Sequence, residues 1–351
     1  MTRLHDASWR GFASDNYAGT HPEILEALAE ANGGHQIAYG EDVYTARLQA
    51  VVKGLFGEQA EAFPVFNGTG ANVTALTSML PRWGAVVATS TAHIHTDENG
   101  APERISGLKL LTVPTPDGKL TPELIDVEAW GWGDEHRAQP LAVSITQTTE
   151  LGTLYTPSEV RAIADHVHSK GMHLHMDGAR IANAAAALDV SFREFTTDAG
   201  VDVLSFGGTK NGLLYGEVVI ALTPAAVDGL IFLRKLNMQL ASKMRFVSAQ
   251  FIALLEGDLW LRSAGQANAM ATRLRSALES SRFQGLGFTQ KTQANAVFAT
   301  LDNAVADRIR ERVRFYDWDR AAGEVRWMTA FDTTEADVDA FVAVIQEELA
   351  R

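Results

Sequence analysis

The sequence predicts an α/β fold: a mainly parallel central sheet with helices on both faces, followed by a smaller α+β unit at the C-terminal end. Three observations predict it. Short apolar runs alternate with amphipathic segments as far as Phe206, helix-start signatures open two of those segments, and from about Asp258 the pattern changes to long helix and short strands. The chain then divides into an N-terminal arm over 1–19, a large domain over 20–257 and a small domain over 258–351.

The elements follow in order. Thr20-His21-Pro22-Glu23 offers a capping hydroxyl, a proline near the start and a glutamate three residues on, so a helix begins there, to stop at Asn32-Gly33-Gly34. Phe63-Pro64-Val65-Phe66 leads into the loop Asn67-Gly68-Thr69-Gly70-Ala71-Asn72, with Val73-Thr74-Ala75-Leu76 behind it in the form of a helix start. Strands are expected at Ala85-Val86-Val87-Ala88, Lys109-Leu110-Leu111-Thr112-Val113, Ala142-Val143-Ser144-Ile145-Thr146, His173-Leu174-His175-Met176 and Val201-Asp202-Val203-Leu204-Ser205-Phe206. Trp130-Gly131-Trp132-Gly133 reads as a turn-rich surface insertion, and Thr156-Pro157-Ser158-Glu159 starts a helix that ends at Gly171. Beyond Asp258 come a long helix, two short strands around Ala296-Val297-Phe298 and Val325-Arg326-Trp327-Met328, and a last helix. Its Val338, Phe341, Val342, Ile345 and Leu349 recur at helical spacing and belong to a core.

Composition narrows the function. With 30 basic and 43 acidic side chains among 351 residues, the formal net charge of −13 opposes a nonspecific phosphate-backbone binder, so no nucleic-acid partner is expected. The apolar runs are too short to cross a bilayer and Met1-Thr2-Arg3-Leu4-His5-Asp6 lacks an apolar signal core, which sets a cytoplasmic location without a membrane partner as the expectation. Zero cysteines exclude disulfides, thiolate–zinc sites and a catalytic thiol.

Two segments carry chemistry. His175-Met176-Asp177-Gly178-Ala179-Arg180 closes one apolar run, and Lys210 lies in Ser205-Phe206-Gly207-Gly208-Thr209-Lys210-Asn211-Gly212 after the next. A lysine among small residues can form an imine, and Gly207, Gly208 and Gly212 would let a bulky ring approach the backbone. A carboxylate beside a pyridine nitrogen keeps it protonated, by roughly 4 kcal/mol at about 4 Å and an effective dielectric near 20 before desolvation. Asp177 is the candidate. Backbone donors at the start of a helix suit a phosphate, and the Asn67–Asn72 loop has that form. Taken together, these groups point to pyridoxal 5'-phosphate (PLP). Each has a blander alternative: a solvated lysine, a turn aspartate, a glycine turn before a helix.

The ordered set resembles the L-threonine aldolases of the β-eliminating lyase group, fold type I (aspartate-aminotransferase-like) PLP enzymes, and especially their low-specificity and phenylserine aldolase branch. Beyond the two segments above it includes Phe12-Ala13-Ser14-Asp15-Asn16-Tyr17, Ala38-Tyr39-Gly40-Glu41-Asp42, the Asn67–Asn72 loop, Ala92-His93-Ile94-His95-Thr96-Asp97-Glu98, Ala241-Ser242-Lys243-Met244-Arg245 and Val325-Arg326-Trp327, almost the whole chain. The resemblance implies that Lys210 carries the imine, Asp177 pairs with the pyridinium, His93 stacks on the ring, and Gly68, Thr69, Thr209 and Arg180 hold the cofactor. It further implies that Arg180 and Arg326, with Ser14, hold the substrate carboxylate. Lys243 or Arg245 would reach a neighbouring subunit's cofactor site in a homodimer or tetramer with shared sites. The implied reaction is retro-aldol cleavage of a β-hydroxy-α-amino acid to glycine and an aldehyde. Several family members have a histidine where this chain places Glu150, so His93, His95, Glu150 or a held water stand as the base that takes the β-hydroxyl proton.

Other readings compete. His173, His175 and Asp177 alternate along one strand, and with His93 and His95 they could serve a metal hydrolase, though this leaves Lys210 and the glycine loop unexplained; no metal is assigned. Within PLP chemistry a β-eliminating lyase or an aminotransferase is the alternative, since the cofactor grips are shared. A non-catalytic relative of the fold is the third.

Overall fold

The computed structural model describes residues 2–281 and 283–351. Its large sheet has seven strands, β1 (Glu61–Val65), β2 (Gly84–Thr89), β3 (Lys109–Val113), β4 (Gln139–Thr146), β5 (His173–Gly178), β6 (Val203–Gly207) and β7 (Glu217–Ala221), in the order β1-β7-β6-β5-β4-β2-β3. The pairs from β6 through β3 are parallel, whereas β7 is antiparallel to both β6 and β1. All five expected strands are present. Two more, β1 and β7, were not expected as strands, the first because Pro64 interrupts its apolar run.

Side-chain alternation builds two cores, one on each face of this sheet. Ala85 and Val87 of β2 and Val218 and Ile220 of β7 join one cluster, which packs Leu48, Val52 and Phe56 of one helix and Val160, Ile163 and Val167 of another. Val86, Ala88, Val219 and Ala221 join the other, against Ala71, Ala75, Leu76 and Met79 of the helix Gly68–Met79. Helices thus cover both faces.

The C-terminal part carries a second, antiparallel sheet of β8 (Gly287–Phe288), β9 (Ala296–Thr300), β10 (Tyr316–Asp319) and β11 (Glu324–Met328), in the order β10-β11-β9-β8. Its core takes Met270, Leu274 and Leu278 from the long helix Leu259–Ser281 and Val338, Phe341, Val342 and Ile345 from the last helix, with Leu349 partly buried against it. The N-terminal segment belongs to this core too. Phe12 stacks on Phe341 with ring centroids 4.3 Å apart, and its backbone exchanges hydrogen bonds with Arg314 and Met328.

Helix starts follow sequence chemistry with one correction. Thr156 and Glu159 form both halves of the expected capping box, and the helix Pro157–Ser169 ends before Gly171, whose φ is +71°. The helix Pro22–Glu30 is capped by His21, whose ring nitrogen accepts from Glu23 N–H, and not by Thr20, one residue too early; it also ends before Asn32. No helix among the described residues is long and apolar enough to cross a membrane.

Candidate active site

Parallel strands end at one edge, and there the chain places its unusual polar groups. Asp177, next to last in β5, is buried, with Oδ2 accepting from Asn72 Nδ2 at 2.9 Å and Oδ1 from Ala179 N–H at 3.0 Å. Lys210 lies on the single turn Thr209–Asn211 after β6. Both line a cavity of about 230 Å³ together with Gly68, Thr69, His93, Thr209 and Glu217. Burial, helped by the Arg180 charge, lowers the Lys210 amine below its ordinary value and so favours the neutral nucleophile.

The cavity's third wall is the helix Gly68–Met79. Asn67 caps it, its Oδ1 accepting from Gly70 N–H at 2.8 Å, which leaves the N–H groups of Gly68 and Thr69 with no partner inside the helix. A side chain built at Gly68 would meet nothing within 4 Å, so an anion can approach this backbone closely. The glycines around Lys210 do something other than expected. A Cβ at Gly207 would run into the Ala179 backbone at 2.4 Å, one at Gly208 into Leu213 and Phe251, and Gly212 has φ +102°, so all three serve packing and turn geometry before any cofactor.

One asparagine organises the acidic side. Asn72 gives one amide hydrogen to Asp177 and the other to Glu98 Oε1 at 2.8 Å, and the same Glu98 oxygen lies 2.8 Å from His93 Nδ1. That hydrogen bond to buried Glu98 raises His93 above its ordinary value and fixes the ring. Glu150 stands beside it in a smaller chamber of about 50 Å³ that also touches Lys210, Asp177 and Arg180. Its Oε1 accepts from His93 N–H and from Thr146 Oγ1, each at 2.8 Å, while Oε2 is buried with no partner. Burial pushes this carboxyl up to about 6.

Arg180 reaches the chamber from beyond β5, but part of its fork is already engaged. Nε and Nη2 bind Asp15 Oδ2 and Oδ1 at 2.6 and 2.9 Å, and Asn295 adds a hydrogen bond to Oδ2 at 3.1 Å. Burial works against the Asp15 charge, and Arg180 overcomes it, holding the carboxyl below its usual range. A substrate carboxylate would therefore meet Nη1.

The other expected residues scatter. Thr209 lines the main cavity, its hydroxyl bonded to Gly216. Ser14 caps the turn Asp15–Tyr17 and borders a separate cavity at the N-terminal segment. His95 is exposed and lines neither chamber at Lys210. Arg326, on β11, faces a neighbouring cavity of about 710 Å³ with Asp97, Tyr316 and Trp318, its guanidinium 5.2 Å from the Trp318 ring and its Nε buried without a partner. Burial, then the Arg180 charge, brings Arg326 down to about 10. Lys243 and Arg245 lie in another pocket, where Arg245 donates to Gly34 O. Of the histidines proposed for a metal, His175 bridges Ser144 and Ser205 at 2.9 and 3.0 Å, and His173 faces Asp202. Among the described residues no group of three or more His, Asp or Glu side chains is arranged to hold a metal ion.

Asp15, Asn72, Glu98 and Glu217 had no assigned role from sequence. The first three lie inside segments that carried the resemblance, so a polar residue destined for burial in a quoted segment was the available signal.

The donor set fits PLP: an amine of lowered basicity, a carboxylate fixed by two hydrogen bonds, a ring beside it and open backbone N–H groups at a helix start, all around one cavity.

Comparison with known proteins agrees. The beta-eliminating lyase family matches residues 11–304. A low specificity L-threonine aldolase of a Pseudomonas species is 42% identical over 337 residues, 95% of this chain and 96% of that protein. Another of the same name from Pseudomonas aeruginosa is 44% identical, covering 92% of this chain and 93% of its own length. Among solved structures, the Leishmania major threonine aldolase superposes with a TM-score of 0.90 at 30% identity over 96% of this chain and 99% of that one. A glycine decarboxylase shares the fold at 17% identity and TM-score 0.71.

Proposed function

The chain belongs to the beta-eliminating lyase family, and on that premise we propose that it cleaves L-threonine, L-allo-threonine and other β-hydroxy-α-amino acids, phenylserine included, reversibly to glycine and an aldehyde. The carrying observation is the single cavity that holds Lys210, Asp177 and the Gly68–Thr69 helix start together.

PLP, when bound, supplies a sink for the electron pair left on Cα as the Cα–Cβ bond breaks. The protein's part is to hold and to move protons. Lys210 Nζ would hold the cofactor, and its burial favours the neutral amine that such attachment requires. Asp177, held by Asn72 and Ala179, would keep the pyridine nitrogen protonated; Gly68 and Thr69 would take the phosphate, with Thr209 beside them in the cavity, and His93, fixed by Glu98, would pack on the ring. Arg180 Nη1 and, from the neighbouring cavity, Arg326 would receive the substrate carboxylate, while Ser14 caps the turn that sets Asp15 against Arg180.

Glu150 takes the β-hydroxyl proton on Oε2. That oxygen is buried, unpartnered and in the chamber shared with Lys210, and a carboxyl near 6 is ionised at neutral pH yet more basic than a solvated one. His95, exposed and outside both chambers, is a poorer base.

We further propose a cytoplasmic homo-oligomer, dimer or tetramer, in which Lys243 or Arg245 reaches the partner's site. The exposed Ile231, Phe232, Leu236 and Met238, in and just after the helix Leu230–Leu236, support an apolar contact between copies near that segment.

The test is product analysis. With PLP and L-threonine, L-allo-threonine or phenylserine, glycine and the matching aldehyde should form in equal amounts, and Lys210→Ala should form neither. Near-normal turnover by that variant would overturn the assignment.

A further inference from the structure

Glu217 is a buried titratable group at this site that the reaction leaves without a task. It is the first residue of β7, and because β7 runs against β6, that first residue lies at the carboxyl edge of the parallel strands, opposite Gly207 on β6 and Val65 on β1. Only 8% exposed, it accepts a hydrogen bond on Oε2 from Gly208 N–H at 2.6 Å and lines the same cavity as Gly68, Thr69, Thr209 and Lys210. Among the described residues it forms no ion pair.

A carboxylate in that position would face a bound phosphate across a water-poor cleft, and like charges there repel. A carboxylic acid would instead offer an O–H donor to a phosphate oxygen. We propose that Glu217 helps to hold the cofactor's phosphate as a neutral acid, so that cofactor binding takes up one proton from solvent onto its carboxylate. The proposal rests on PLP being the cofactor. No carbon bond changes in this step: the carboxylate gains a proton and donates it in a hydrogen bond.

The surroundings favour it. The charged groups facing Glu217 are Lys210, which supports the carboxylate, and Asp177, which opposes it; β1 on the other side brings Val65 and no charge. Burial, aided by the Asp177 charge, outweighs the hydrogen bonds from Gly208 and Thr209 and the Lys210 charge and sets the carboxyl at about 7. In the cofactor-free protein the group is therefore ionised above about pH 7. A phosphate bound in the same cavity adds negative charge and so pushes Glu217 toward the acid.

The test is the affinity of the whole protein and of Glu217→Gln for PLP from pH 6 to 9, read by absorbance titration, with pyridoxal as a phosphate-free probe. The amide can also donate, so the two proteins should bind alike near pH 6. Above pH 7 the wild-type must take up a proton that the variant need not, and the ratio of their Kd values should climb about tenfold between pH 8 and 9. With pyridoxal the ratio should stay flat. Should the variant not fold, the wild-type alone decides: its preference for PLP over pyridoxal should fall about tenfold over that pH interval. A Kd ratio, or a wild-type preference, that does not change with pH from 7 to 9 would overturn the proposal. Failure of the wild-type to bind PLP at any pH would overturn the cofactor assignment, and this inference with it.

Discussion

Replacing Glu150 by glutamine should make the protein more stable and far less active. The amide oxygen can keep both accepted hydrogen bonds, from His93 N–H and Thr146 Oγ1, and the substitution exchanges an unpartnered Oε2 for an unpartnered nitrogen, so those terms nearly cancel. What remains is charge. Folding raises this carboxyl from 4.5 to about 6, first through burial and further through the Asp177 charge, against the lowering effect of the His93 N–H and Thr146 bonds. A raised carboxyl binds its proton more tightly when folded, so the native state is least burdened below pH 4.5 and loses stability as pH rises through 6. At pH 8 the full deficit is about 2 kcal/mol. For 351 residues that corresponds to a rise in Tm on the order of 3 °C for Glu150→Gln. Losing a general base should meanwhile cost about 10²–10⁴ in kcat/KM. The wild-type profile should climb about tenfold from pH 5 to 7 as Glu150 ionises, and the variant should lack that limb. Calorimetry at pH 8 and threonine cleavage across pH 5–8 measure both. A variant that loses stability, or that keeps its activity with the same acid limb, would refute the base assignment.

Three further outcomes are expected. Asp177→Asn should retain PLP at reduced affinity but lose on the order of 10²–10³ in kcat, since an amide cannot hold the pyridinium charge; unchanged catalysis would remove that role. Asp15→Asn leaves the Arg180 guanidinium buried without its anion, with an expected loss of about 3–5 kcal/mol and a Tm lower by about 4–7 °C; a melting curve like the wild-type's would show that the pair is not the anchor it resembles. Arg326→Gln should raise KM for threonine about tenfold or more while changing kcat less, as fits a group that binds the carboxylate in ground and transition states alike.

Much of this was legible in residue types. The strands β2 to β6 show as apolar runs, the Thr156–Glu159 box announces a helix start, and Asp177 and Lys210 stand out as charges at the ends of such runs. Less visible were groups defined by partners distant in sequence. Asp15 and Arg180 meet only because Phe12 is pinned into the core of the small sheet, which swings the following residues over the carboxyl edge of β5. Asn72 and Glu98 acquire meaning through Asp177 and His93, and neither pairing follows from local pattern. Glu217 was hidden for a topological reason: the first residue of a parallel strand lies far from the site, and only the reversed direction of β7 brings it there. The glycines before Lys210 taught the opposite lesson, because small residues beside a reactive lysine proved to be demanded by Ala179, Leu213 and Phe251.

The most direct test is the visible spectrum of the purified protein with PLP, before and after glycine is added. A yellow protein that gains a longer-wavelength band with glycine, a change absent from Lys210→Ala, is the predicted result, because it reports both covalent attachment at Lys210 and carbanion character at Cα. A colourless protein that neither takes up PLP nor responds to glycine would contradict it.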